Sequence, residues 1–143
     1  MGRLSSTDSA RSVLVVVGPT ASGKTLIALE LASKLDGEIL SADSRQIYKF
    51  MDIGTAKPSP EDLTKTKHYF VDELDPDKSF NAGQFGTKGR EIIEDLFRRN
   101  RTAIVVGGSG LYVQSLVDGF FAGPGADPEI RILIQPIAFY ENS

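Results

Sequence analysis

The 143-residue chain is predicted to fold as a parallel, doubly wound α/β sheet, and three observations carry that prediction. Short apolar runs rich in β-branched residues alternate with longer stretches whose apolar residues recur at helical spacing. Two of the short runs end directly in glycine-rich turns that open helices, the connection a parallel sheet needs. The composition, 41% hydrophobic and 24% charged, is that of one domain with its own core.

The elements follow in order. Met1 to Ser12 is polar, carries Arg3 and Arg11, and reads as a flexible leader, neither a secretory signal nor an anchor. Val13 to Val17 is a strand buried on both faces. Leu26 to Leu35 is a helix with apolar residues on one side, and Asp36-Gly37 turns the chain into a second strand, Glu38 to Ala42. Lys49 to Pro60, with Gly54, Pro58 and Pro60, reads as loop. His68 to Asp72 is a third strand and Asp75-Pro76-Asp77 a turn. Ala82 to Asn100 is a long helix with Ile92, Ile93, Leu96 and Phe97 on one face, weakened early by Gly83, Gly86 and Gly89. Thr102 to Val106 is a fourth strand, and Leu111 to Val117 an apolar helix. At Asp127-Pro128-Glu129 an N-cap residue, a proline and an acid predict a helix start, broken by Pro136 within about two turns, so this end reads as cut short.

Between the first strand and the first helix stands Gly18-Pro19-Thr20-Ala21-Ser22-Gly23-Lys24-Thr25, a full match to G-x-x-x-x-G-K-[ST]. The glycines let successive N–H groups turn inward, the helix N-terminus adds partial positive charge, and Lys24 adds a whole one. Together they suit a di- or triphosphate. Thr25 has the hydroxyl that ligates an accompanying Mg²⁺. The expected class is therefore P-loop NTPase-like.

Composition excludes several chemistries. Without cysteine there are no disulfides, thiolate catalysis or cysteine metal sites. No apolar run approaches the length that spans a bilayer, and the expectation is a soluble, cytoplasmic protein. A net charge of -3 argues against a broad basic face for nucleic acid, so any such role must rest on a local groove. Arg98, Arg99 and Arg101 read as a solvated helix end, where cations favour the dipole.

Other polar groups gather where the strands end. Ser41 to Tyr48, S-A-D-S-R-Q-I-Y, puts a carboxylate, a hydroxyl, a guanidinium and an amide across the crevice from the P-loop. Asp43 can ligate Mg²⁺, act as a general base or cap a helix. Asp72 suits either a metal-side or a turn role. Gly107-Gly108-Ser109-Gly110 leaves room for a bound group, or is simply a tight connection. His68, the single histidine, reads as structural.

With these residues in view the chain resembles the tRNA dimethylallyltransferases. G-P-T-A-S-G-K-T, S-A-D-S-R-Q-I-Y, M-D-I-G-T-A-K-P at Met51 to Pro58, and V-G-G-S-G-L-Y at Val106 to Tyr112 stand in the family's order and spacing, from about Val13 to Arg131. The resemblance implies transfer of a dimethylallyl group from its diphosphate to the exocyclic amine of the adenosine 3′ of a tRNA anticodon. It implies that Gly18 to Thr25 hold the diphosphate, that Asp43, Lys24 and Thr20 carry the catalysis, and that Thr25 meets Mg²⁺. Asp43, Ser44, Arg45, Gln46, Ser109 and Arg131 would contact the tRNA. Ser109 stands where threonine is usual and Gln84 where an acid is common. The family continues past Arg131 with a helical tRNA-binding domain and a catalytic-site arginine. Residues 13–143 are therefore expected to be a partial catalytic core, inactive alone. Two other readings are a P-loop small-molecule kinase, in which Asp43 activates a hydroxyl, and a phosphate-binding module without catalysis. The kinase reading does not explain Met51 to Pro58, whereas the module reading stays open.

Overall fold

The computed structural model describes residues 12–18, 23–50, 57–121 and 130–136. Five strands, β1 (Ser12–Val17), β2 (Gly37–Ser41), β3 (His68–Tyr69), β4 (Thr102–Gly107) and β5 (Arg131–Pro136), form one sheet in the order β3-β2-β4-β1-β5. All neighbours are parallel. The helices between them are α1 (Lys24–Leu35), α2 (Pro60–Lys65), α3 (Ala82–Arg98) and α4 (Gly110–Phe121).

Alternate residues of the central strands divide the core into two layers, as the two-residue period of a strand requires. Val16, Ile39 and Ile104 point to one face and meet Ala28 and Ala32 of α1. Val13, Val15, Leu40 and Val105 point to the other and meet Phe85, Ile93, Leu96 and Leu116 of α3 and α4. The continuous apolar runs read as strands are thus covered on both sides. The glycines that weaken α3 as an isolated helix serve its packing. A methyl on Gly86 would stand 2.5 Å from Ser115 Oγ, and one on Gly89 2.9 Å from Leu116 Cδ1.

Several elements differ from expectation. Ser12, assigned to the leader, is buried as the first residue of β1; residues 1–11 lie outside the described ones. β3 is two residues long, because Phe70 (φ 70) and Asp72 (φ 54) turn left-handed and take the chain off the sheet. The payoff is a ring cluster: Phe70, turned inward, packs on Phe80 and Phe85, with Tyr112 beside both. The stretch ending at Pro60 was read as loop, yet α2 begins there behind Ser59, whose Oγ accepts from Asp62 N while Ser59 N donates back to Asp62.

The largest correction concerns the C-terminal end. Residues 131–136 form a strand along β1 where a helix was predicted, with Ile130 buried at its start. The start signals Asp127-Pro128-Glu129 lie outside the described residues. The physical reason is the edge of β1: its backbone groups demand partners, and Ile132-Leu133-Ile134 supplies them in an extended form that suits β-branched side chains.

Candidate phosphate and acceptor site

The crevice lies beyond the carboxyl ends of β1, β2 and β4, beside the strand from which connections leave in both directions. Gly23, at φ 87, is the N-cap of α1, a left-handed conformation that glycine adopts freely. It delivers Lys24 into the first helical turn, where the side chain is only 9% exposed. Burial lowers the Lys24 pKa from its ordinary value, and the charge of Asp43 partly opposes that shift. A cavity of about 200 Å³ is lined by Gly23, Lys24, Thr25, Asp43 and Gln46, among others.

Asp43 is held from its own segment. Its Oδ1 accepts from Arg45 N at 2.8 Å and Gln46 N at 3.2 Å, so the carboxylate caps the turn 44–47. Capping occupies one oxygen, and the same carboxylate still lines the cavity, so the cap and the ligand-facing roles coexist. Ser41 Oγ donates to Gln46 Oε1 at 2.7 Å, which orients that amide. Farther along, Ile47 is buried, and its carbonyl accepts from Glu73 N and Leu74 N. Asp72 N donates to Gln46 O. Ser44 and Arg45 are exposed at the mouth.

β4 closes the opposite wall by backbone contact. Ala42 N donates to Val106 O at 2.7 Å and Ser109 N to Ala42 O at 3.1 Å, so Gly107 lies against the Ala42 carbonyl. A methyl on Gly107 would overlap that oxygen and stand 2.5 Å from its carbon. Gly108 passes close to Gly18 O, and the turn with Val17, Gly18 and Val113 encloses a second space of about 250 Å³. The two readings of this turn are therefore both right: it is a tight connection and it leaves room beside the P-loop. Ser109 lines that space.

Gly18, Gly23, Lys24, Thr25, Asp43, Gln46 and Ser109 thus come together, with Ser44 and Arg45 at the rim. Pro19, Thr20, Ala21 and Ser22 lie outside the described residues, as do Met51 to Ala56. Arg131 is not brought to the site. It pairs with Ser12 at the opposite end of β1 from Val17, five residues or roughly 16 Å from the P-loop. His68, read as structural, does bond Thr66 O through Nδ1 at 2.9 Å, yet its ring also lines the main cavity, and burial lowers its pKa. Only the fold could show that, since β3 sets His68 beside Ile39. Asp72 takes the turn role, paired with Lys57. The helix end is solvated only in part: Arg99 and Arg101 both close on buried Glu38, which also accepts from Tyr69 Oη at 2.7 Å, while Arg99, like Arg98, stays exposed.

The model of the IPP transferase family matches residues 46–141. The chain belongs to the IPP transferase family. It is 49% identical over 124 residues to tRNA dimethylallyltransferase 1 of Syntrophotalea carbinolica, which covers 87% of this chain and 40% of that relative. To tRNA dimethylallyltransferase of Chlorobaculum parvum it is 52% identical over 127 residues, 89% of this chain and 41% of the relative. The fold matches the tRNA delta(2)-isopentenylpyrophosphate transferase of Staphylococcus epidermidis with a TM-score of 0.71 at 50% identity, over 73% of this chain and 34% of that one. A eukaryotic dimethylallyltransferase described as acting on tRNA matches with a TM-score of 0.70 at 34% identity, over 74% and 26%. The chain spans about two fifths of the length of the curated relatives it matches. Family membership sets the small-molecule kinase reading aside. Among the described residues no helix is long and apolar enough to cross a membrane.

Proposed function

We propose that this chain is the phosphate- and acceptor-binding portion of a tRNA dimethylallyltransferase. The observation that carries the reading is that Lys24, a largely buried residue, and Asp43 line one cavity at the P-loop. In the reaction, the exocyclic nitrogen of the adenosine 3′ of the anticodon attacks the allylic carbon of dimethylallyl diphosphate. The carbon–oxygen bond breaks, pyrophosphate leaves with the electron pair, and the amine proton passes to Asp43. Lys24 and the P-loop amides oppose the charge that grows on the leaving group. Drawing the adenosine out of its loop costs a few kcal/mol, and Ser44, Arg45, Gln46 and Ser109 are placed to contribute contacts that repay it.

The donors fit Mg²⁺ as an accessory ion. Among the described residues no three His, Cys, Asp or Glu side chains cluster around a possible ion, and Mg²⁺ needs none, since it is commonly held by few protein oxygens, substrate phosphates and water. Thr25 would supply the hydroxyl, and the ion would neutralise part of the diphosphate charge.

Calorimetric titration of the chain with dimethylallyl diphosphate and Mg²⁺ tests the assignment. Lys24→Ala is expected to weaken binding by about 1.5–3 kcal/mol, the worth of a charge-assisted contact. Equal affinities would overturn it. Single-turnover assay with an anticodon stem-loop separates a transferring chain from a module that only binds phosphate. No transfer is expected from these residues alone.

A further inference from the structure

The block Met51 to Pro58 is distinctive in sequence, and its one lysine, Lys57, has a specific place in the fold. The Lys57 side chain is 8% exposed. Its Nζ donates to Tyr48 O at 2.7 Å and is paired with the Asp72 carboxylate. One ammonium therefore joins three pieces of chain, with partners 9 and 15 residues away: the segment that carries Asp43, the end of the block, and the left-handed turn after β3.

We propose that Lys57, together with Asp72, is the positioning pair for the acceptor half of the site, holding the 43–50 segment so that Asp43 faces the cavity. This deepens the function proposed above and rests on it. The segment is anchored in two places. Its near end is closed by the Asp43 cap and the Ser41–Gln46 bond, and its far part by Ile47 in the core and by a ladder with Asp72, Glu73 and Leu74 that Lys49 N extends by donating to Leu74 O. Tyr48 O, within that ladder, accepts from Lys57, which ties the segment to the block. Because an ammonium stripped of water is costly unless its partners stand at bonding distance, Lys57 enforces one arrangement of the three pieces where an apolar contact would tolerate sliding. Asp72 is suited to its end of the pair: at φ 54 it needs a residue that accepts the left-handed region, and aspartate and asparagine are the side-chain types that do so most readily. Lys57 itself lines neither cavity described above, so it acts through the segment and not on a substrate.

The test uses the ¹⁵N-labelled 143-residue chain. The amides of Arg45 and Gln46 donate to Asp43 Oδ1, so their hydrogen exchange reports whether that carboxylate is held in place. Lys57→Met keeps the apolar stem and removes the charge. It is expected to speed the hydrogen exchange of both amides tenfold or more. Exchange at Ile93 and Val105 and the affinity for Mg²⁺ pyrophosphate should stay within twofold of wild type. Unchanged Arg45 and Gln46 amides would overturn the proposal. So would faster exchange shared equally by Ile93 and Val105, since Lys57 would then merely support the whole fold. Should Lys57→Met not fold, Asp72→Asn is read in the same way, with a threefold rise expected, because asparagine keeps an acceptor oxygen and tolerates the backbone. Pyrophosphate affinity of the wild-type chain reports on the site itself and the two amides report on Lys57, so either reading can fail without the other.

Discussion

Replacing Gly107 by alanine is expected to destabilise the protein and open the phosphate crevice together. The added methyl would overlap Ala42 O and stand 2.5 Å from Ala42 C and 2.9 Å from Ala42 Cα, all backbone atoms of the neighbouring strand end. No side-chain rotation relieves such a contact, so the ends of β2 and β4 must part. Overpacking of this kind costs about 1–3 kcal/mol. Parting the strand ends also strains Ala42 N→Val106 O and Ser109 N→Ala42 O, which flank the contact, and loss of one of them adds about 1 kcal/mol. The expected total is about 2–4 kcal/mol. For 143 residues the unfolding entropy near 60 °C is about 0.3 kcal/mol per degree, so the melting temperature should fall by about 7–13 °C. Urea unfolding followed by circular dichroism measures the loss, and pyrophosphate titration below the transition measures the site. A Gly107→Ala protein within 0.5 kcal/mol of wild type, with unchanged affinity, would refute the argument that this backbone approach holds the crevice closed.

Other outcomes follow from the same structure. Asp43→Asn keeps an oxygen for the Arg45 and Gln46 amides, so the melting temperature should stay within a few degrees. Loss of the negative charge lowers the Lys24 pKa further, and the alkaline decline of pyrophosphate affinity should move to lower pH in a titration series. Burial pushes the Glu38 pKa up, but hydrogen bonds from Arg99 and Tyr69 and the charges of Arg99 and Arg101 outweigh it and hold the carboxyl below its ordinary value. A depressed carboxylate contributes stability that is present above the unfolded pKa near 4 and lost as pH falls through the folded one. Glu38→Gln should therefore cost about 2 kcal/mol at pH 7 and flatten the acid limb of a stability–pH curve; an acid limb as steep as wild type's would show that the network does not couple protons to folding.

What the sequence determined by itself was whatever depends on local chemistry. The short apolar runs of β1, β2 and β4 read as strands, and the glycine spacing with Lys24 and Thr25 reads as a phosphate loop, because both signals are complete within one stretch of chain. Asp43 was legible as a candidate because it follows a strand, but the helix cap read for it is in the structure a cap on the turn amides of Arg45 and Gln46. The tertiary structure decided everything that required a neighbour distant in sequence. Ile132 to Ile134 became β5 because β1 had an edge to fill, which no local start signal encodes, and that pairing set Arg131 at the wrong end of the sheet for the site. His68 entered the cavity through its register with Ile39. Arg99 and Arg101 pair with Glu38, some sixty residues earlier in the chain. Lys57 met Tyr48 and Asp72 only because three turns converge. Glycine's role at Gly107 likewise follows from the Ala42 carbonyl alone, since in sequence it is one of several glycines in a row and in space it is the one against which another strand closes.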